Sequence, residues 1–313
     1  MPNQSNSLNG PFIIFIVGPS AVGKSETGLS LAKAFDGEIV CCDAMQVYRE
    51  VDIASDKPSQ QARACIPHHL VDLVSVTEEF NAARYRKLAQ VSIQEVFSRG
   101  KTPLVVGGSG MYMSLLLDGI FEGAGGDEAL REKLTQELKE QGAVVLHDRL
   151  RSLDPQAAAR IHPNDPQRII RALEVVESTG QPISGLQPRR EGLWGRMPIM
   201  IFALNRPREE LYRRSDERVE AMFADGLVDE VKKVSALALS LTAQKIIGIP
   251  EVTGYLNGTY DIERAKYLMK LNTRHYIKRQ LTWFRRDKRI TWIEVPADQT
   301  PDQVADIISV HLR

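Results

Sequence analysis

The chain has 313 residues, 43% of them apolar and 26% charged, with 40 lysines and arginines balanced by 40 aspartates and glutamates. That balance is that of an ordinary soluble globular protein, long enough for a sizeable core in one large domain or two modest ones. Zero net charge argues against nucleic-acid binding through bulk charge, so any basic surface must be local. Three cysteines (Cys41, Cys42 and Cys65) with no C-x-x-C pair argue against a disulfide framework or a zinc site, and are expected to be small buried residues.

Residues 1–10 (MPNQSNSLNG) lack an apolar stretch and are expected to form a loose tail, not a signal peptide. Phe12–Val17 (FIIFIV) is a continuous β-rich run, the pattern of a buried parallel strand, and is far too short to span a bilayer. A Gly-rich turn follows, then helical composition over Glu26–Phe35. Glu38–Cys42 (EIVCC) is a second strand candidate. Pro103–Val106 (PLVV) is a third, ending in Gly107-Gly108-Ser109-Gly110, and Met111–Leu117 reads as a helix. Alternating strands and helices predict an α/β fold: a P-loop NTPase-like parallel sheet flanked by helices, with ligands beyond the carboxyl ends of the strands. Asp43 and Ser109 each directly follow a predicted strand, so both belong to that edge.

Composition shifts near Phe121. Glu128–Gln141 and Gln167–Ser178 read as helices, with Pro-punctuated turns at Leu153–Pro155 and His162–Pro166. Residues 122–196 are read as a helical insertion domain in a core of residues 1–121 and 197–313. Met197–Leu204 returns as a strand, and the remainder is expected to be mainly helical.

Gly18-Pro19-Ser20-Ala21-Val22-Gly23-Lys24-Ser25 fits G-x-x-x-x-G-K-[ST] between a predicted strand and a predicted helix. Glycines let the backbone curl so that its N–H groups converge on phosphate oxygens, and the helix N-terminus adds favourable dipole charge. Lys24 supplies a point charge, and Ser25 a hydroxyl suited to Mg²⁺. The motif implies a diphosphate or triphosphate and leaves three chemistries open: a small-molecule kinase, a regulatory NTPase, or a transferase with diphosphate as leaving group. On residue type alone, Asp43 is equally a general base and a turn residue or water-mediated Mg²⁺ ligand.

Further segments narrow the choice. Asp43-Ala44-Met45-Gln46-Val47-Tyr48 follows the second strand, then Asp56-Lys57-Pro58 and Pro67-His68-His69-Leu70-Val71-Asp72. Pro103–Tyr112 reads PLVVGGSGMY, Ile161–Val175 reads IHPNDPQRIIRALEV, and Thr273–Arg285 reads TRHYIKRQLTWFR. In this order, over about residues 12–290, these segments resemble the tRNA dimethylallyltransferase (isopentenyltransferase) family. No Cys/His cluster suits the zinc finger of eukaryotic members, so the likeness is to the bacterial form.

The resemblance implies transfer of a dimethylallyl group from dimethylallyl diphosphate to the exocyclic N6 of an adenosine. That adenosine lies 3′ of the anticodon in tRNAs reading codons that begin with U, and pyrophosphate leaves. It implies Mg²⁺ as cofactor and the tRNA anticodon stem-loop as partner; with no signal peptide and no long apolar run, a cytoplasmic protein without a membrane segment is expected, taken as a monomer although the sequence does not reveal the oligomeric state. Asp43 is then the base that takes the amine proton. Lys24, the loop amides and Mg²⁺ at Ser25 absorb the leaving group's charge. Arg214 contacts the diphosphate. Ser109, where the family usually has Thr, contacts substrate through its hydroxyl.

For tRNA, the resemblance assigns contacts to Asp43, Ala44, Met45, Gln46 and Ser109, to Arg131, and to Gln167, Arg168, Ile169, Ile170 and Arg171. The insertion would clamp the anticodon stem. Lys266, Lys270, Arg274 and Lys278 recur every fourth residue on one face of a predicted helix, with Arg279 beside them. Spacing alone makes that a solvated charged face; the resemblance assigns Lys270, Arg274, Lys278 and Arg279 to tRNA. His68-His69 is read as packing within the family's Pro-His-His-Leu pattern. Departures occur at Ala44 (usually Ser), at Ala54-Ser55 (usually Gly-Thr) and at Ile249-Pro250 (usually Tyr-Lys), which bear on which tRNAs are used. A prenyltransferase acting on free adenine nucleotides would need neither the insertion nor the basic helix, and a kinase would need neither residues 161–175 nor 273–285. A non-catalytic nucleic-acid-binding module would leave the P-loop and Asp43 unexplained.

Overall fold

A computed structural model of the chain describes residues 10–120, 128–186 and 191–312. In chain order the first half holds β1 (Ile13–Val17), α1 (Lys24–Ala34), β2 (Gly37–Cys41), α2 (Gln60–Cys65), β3 (His68–His69), α3 (Ala82–Ser98), β4 (Thr102–Gly107) and α4 (Gly110–Asp118). Five helices follow: α5 (Glu128–Gln141), α6 (Ala143–Leu153), α7 (Pro155–Arg160), α8 (Pro166–Thr179) and α9 (Ile183–Leu186). The last part comprises β5 (Ile199–Asn205), α10 (Arg208–Ala224), α11 (Leu227–Val234), α12 (Ile249–Leu256), α13 (Ile262–Phe284), β6 (Thr291–Glu294) and α14 (Pro301–His311).

The strands form one parallel sheet in the order β3-β2-β4-β1-β5-β6, flanked by helices, as the alternation predicts. All five residues of β1 are buried, because the central strand is covered on both faces. Alternate residues such as Ile14 and Ile16 of β1, with Leu104 and Val106 of β4, share a core with Leu31 of α1 and Val304 and Ile308 of α14. In register, Val17 pairs with Gly107, and Cys41 with Val106. The carboxyl ends of β1, β2 and β4 therefore come out side by side, carrying the P-loop, Asp43 and Ser109. Two strands went unread in the sequence. β3 is two residues long, and β6 buries only Ile293.

The chain divides into two compact units, residues 1–116 with 194–313, and Leu117–Leu193. The second is helical, around Leu134, Leu146, Leu150, Ile169 and Leu173. Its turns are set by side-chain caps. Asp154 accepts from Ala157 N and Asp165 from Arg168 N, each before a proline that opens the helix. Among the described residues no helix is long and apolar enough to cross a membrane. Cys41 and Cys42 are buried, but Cys65, at the end of α2, is exposed, contrary to expectation.

Candidate active site

A cavity of about 600 Å³ opens at the carboxyl edge of the sheet. Its floor is the P-loop, with Ser20, Ala21, Gly23, Lys24 and Ser25 in its lining. Gly23 caps α1 at φ 105, a conformation a side chain would strain. Val22 points into the core. The loop carbonyls are held from outside: Ala21 O accepts from Arg214 Nε at 2.9 Å, and Val22 O from the buried Arg206 Nε at 3.1 Å. Pro19 O accepts from Lys24 Nζ at 2.7 Å. Gly18, at φ 140, lets the chain turn out of β1 into this loop.

Asp43 lines the same cavity. Met45 N–H donates to its Oδ1 at 2.9 Å and so fixes the carboxylate. Burial pushes the Asp43 carboxyl above its usual range, opposed by the Met45 N–H and by the Lys24 charge. Burial also lowers the Lys24 ammonium to about 8, with Asp43 pulling it back up. An anion cradle and a carboxylate thus share one enclosure and feel each other's charge.

Ser109 bonds the residue that follows this carboxylate and is not itself among the cavity-lining residues. Its Oγ accepts the Ala44 N–H at 3.1 Å and is hydrogen-bonded to Tyr276, a cavity-lining phenol raised by burial and by Asp43. Gln46 lines the cavity but spends its amide internally. Its Nε2 donates to Asp56 O at 2.9 Å, and its Oε1 accepts from Cys41 Sγ at 3.1 Å. His68 also lines the cavity, bonded through Nδ1 to Ile66 O and lowered by burial, while His69 contacts the Glu38 carboxylate at 2.6 Å. The lining also includes apolar residues, Val219, Met222, Ile246, Ile247 and Met269. Arg218, Lys245 and Arg279 add cations to the lining. Arg218 stands one turn after Arg214 on α10, a spacing that could have marked it in the sequence; Lys245 and Tyr276 carried no such signal.

The remaining expected tRNA contacts fare differently. Lys270 and Lys266 both pair with Glu220 of α10, at 2.5 and 3.0 Å, and Arg274 pairs with Asp216. The acids of α10 therefore offset much of the stripe's charge, which the isolated segment did not reveal. Lys278 and Arg279 are exposed. In the helical unit, Gln167 and Arg168 are exposed, but Ile169 and Ile170 are core, so those two side chains cannot touch a partner. Arg131 and Arg171 both bond the fully buried Glu174, at 3.0 and 3.1 Å, and so have a structural task.

No cluster of three or more His, Cys, Asp or Glu occurs among the described residues, so there is no dedicated cage for an ion. At the P-loop end of the lining the Ser25 hydroxyl is an oxygen donor, and Asp43 adds a carboxylate, while Asp56 is already paired with Arg218 at 2.5 Å. That fits Mg²⁺, which takes one or two protein oxygens and completes its shell with water and substrate phosphate.

Residues 46–287 match the family model for IPP transferase. A tRNA dimethylallyltransferase of Geobacter sulfurreducens is 45% identical over 300 residues, spanning 95% of this chain and 96% of its own. The crystal structure of a tRNA isopentenylpyrophosphate transferase from Bacillus halodurans superposes with a TM-score of 0.70 at 36% identity, over 97% of each chain. A eukaryotic dimethylallyltransferase acting on tRNA gives a TM-score of 0.81 at 28% identity, over 96% of this chain and 78% of its own. With an anion cradle, a basic carboxylate and apolar lining residues in one cavity, and with these likenesses along nearly its whole length, the chain belongs to the IPP transferase family.

Proposed function

We propose that this chain transfers a dimethylallyl group from dimethylallyl diphosphate to N6 of the adenosine 3′-adjacent to the anticodon, in tRNAs reading codons that begin with U. The observation that carries this reading is the shared cavity of Lys24 and Asp43, each charge acting on the other.

The diphosphate lies over the amides of the P-loop, with Lys24 and Arg214 on its oxygens and the branched hydrocarbon toward Val219, Met222 and Met269. The Ser25 hydroxyl would hold a Mg²⁺ ion, which when bound would supply a Lewis acid for the departing diphosphate. The exocyclic amine is a weak nucleophile, its lone pair being delocalised into the purine. As that lone pair bonds to the allylic carbon, the carbon–oxygen bond breaks and its electrons leave with the diphosphate oxygen. The amine proton passes to the Asp43 carboxylate. A carboxyl raised by burial is a stronger base than a solvated one, and the Met45 N–H keeps it aimed.

Reaching N6 requires the base to be splayed from the anticodon loop. Lys278 and Arg279 on α13 are the exposed groups proposed to grip that loop; Gln167 and Arg168 are exposed on the helical unit, taken by itself. Arg131, Arg171, Lys270 and Arg274 would contribute only with charge left over from their carboxylates. The reading places the protein in the cytoplasm, with tRNA.

The test is direct. Purified protein, Mg²⁺, dimethylallyl diphosphate and unmodified tRNA are incubated, and the tRNA nucleosides are analysed by mass spectrometry with AMP as competitor. A dimethylallyl adenosine formed in tRNA is expected. Prenylated AMP with untouched tRNA would point to the free-nucleotide enzyme, and phosphoryl transfer from ATP to a kinase.

A further inference from the structure

Gln280 lies inside α13 and is 5% exposed. A buried amide in a helix must satisfy both its ends, and this one spans two loops. Its Oε1 accepts the Ser20 N–H at 2.8 Å and lies 3.3 Å from Ser20 Oγ. Its Nε2 donates to Gly108 O at 3.0 Å. One rigid side chain thus ties the P-loop, after β1, to the glycine-rich turn after β4.

The turn is built to receive it. A Cβ at Gly108 would overlap Gln280 Nε2, and a Cβ at Gly110 would overlap the Trp283 ring, one turn further along α13. The Trp283 indole donates to Ser114 Oγ at 3.3 Å, on the helix that follows the turn. The same turn carries Ser109, whose Oγ accepts the Ala44 N–H beside Asp43 and whose backbone N–H donates to Cys42 O at 3.1 Å. A continuous path of hydrogen bonds therefore runs from Ser20 through Gln280 and Gly108–Ser109 to Ala44, next to the base.

We propose that Gln280 is a positioning residue that sets the span between the diphosphate cradle and the Asp43 carboxylate. It is buried and is not among the residues that line the cavity. It fixes two loops that come from different strands and that, for in-line displacement, must hold the allylic carbon and the amine in register. The proposal rests on the transferase reading above. Small misplacements of reacting groups cost large factors in rate, so the loss falls on turnover and not on affinity.

The test uses Gln280→Met, which keeps the volume and removes both bonds, and Gly108→Ala, which pushes the amide aside. Each is expected to lower kcat by about 10- to 100-fold with both substrates saturating, while both KM values stay near wild type and Tm falls by only a few degrees, the cost of the backbone groups left unpaired. Combining Gly108→Ala with Gln280→Ala, where room exists for the new methyl, should cost no more than Gln280→Ala alone. Amide hydrogen exchange should rise in residues 18–25 and 107–110 together and nowhere else. Unchanged kcat would overturn the proposal. So would a loss that tracks Tm with exchange rising throughout, or strictly additive losses. If the wild-type protein transfers no prenyl group, the transferase reading fails on its own, and the exchange result alone decides whether Gln280 couples the two loops.

Discussion

The Asp43 carboxylate and the Lys24 ammonium line one cavity at the carboxyl edge of the sheet, and burial drives both toward neutrality while each charge restrains the other. Such a pair is poised for opposite duties, one to accept a proton and the other to hold an anion.

This pair sets the pH profile. The competent free enzyme has Asp43 ionised and Lys24 protonated. Falling pH protonates Asp43 at a value above the ordinary carboxylate range, and rising pH strips Lys24 as it passes about 8. kcat/KM for dimethylallyl diphosphate should therefore be bell-shaped with its alkaline limb near 8. In kcat the limb should move upward, since bound diphosphate favours the ammonium. Lys24→Arg, whose guanidinium keeps its charge, should abolish the limb; an unaltered limb in that variant would assign it to another group.

Exposed cations should govern the salt dependence of tRNA binding. Lys278→Ala and Arg279→Ala are each expected to flatten the slope of log K against log salt by about 0.7–0.9 per lost phosphate contact. Lys270→Ala should change it less, because Glu220, shared with Lys266, already offsets part of that charge. Equal changes for all three would mean that the α10 acids release Lys270 to the tRNA.

Glu174 makes a stability prediction. Two arginines hold this fully buried carboxylate, so removing both by Arg131→Ala and Arg171→Ala should cost about 3–5 kcal/mol in denaturant unfolding. A double variant of normal stability with weakened tRNA binding would instead make both arginines contact residues.

Ser109→Ala deprives the Ala44 N–H of its acceptor, a loss of about 1–3 kcal/mol, and should slow turnover by roughly tenfold. Ser109→Thr keeps the oxygen and should retain activity. Equal activity in both variants would show that the hydroxyl plays no part in holding the loop beside Asp43.

Local pattern made much of this legible. FIIFIV, EIVCC and PLVV read as buried strands from their short β-rich apolar runs, and the P-loop between a strand and a helix marks the ligand edge. β6 escaped because it is an edge strand with one buried residue, and the strand order is a long-range property. Ile169 and Ile170 were assigned to tRNA with the rest of their motif, although Ile169, Ile170, Leu173 and Val176 recur at the spacing of a helix core face. The basic stripe looked stronger than it is because its neutralising acids lie some 50 residues away, on α10. Gln280 stood within the Thr273–Arg285 segment, but nothing marked its role, since a glutamine inside a helix acquires meaning only from what the fold brings to its two ends.

The most direct measurement is single-turnover prenyl transfer by Asp43→Asn, with tRNA and diphosphate binding measured in parallel. Asparagine preserves shape and the Met45 contact but cannot take the amine proton. Transfer should fall by about 10²–10⁴-fold with both affinities near wild type. Transfer at the wild-type rate in that variant would contradict the assignment of Asp43 as the base on which the whole account turns.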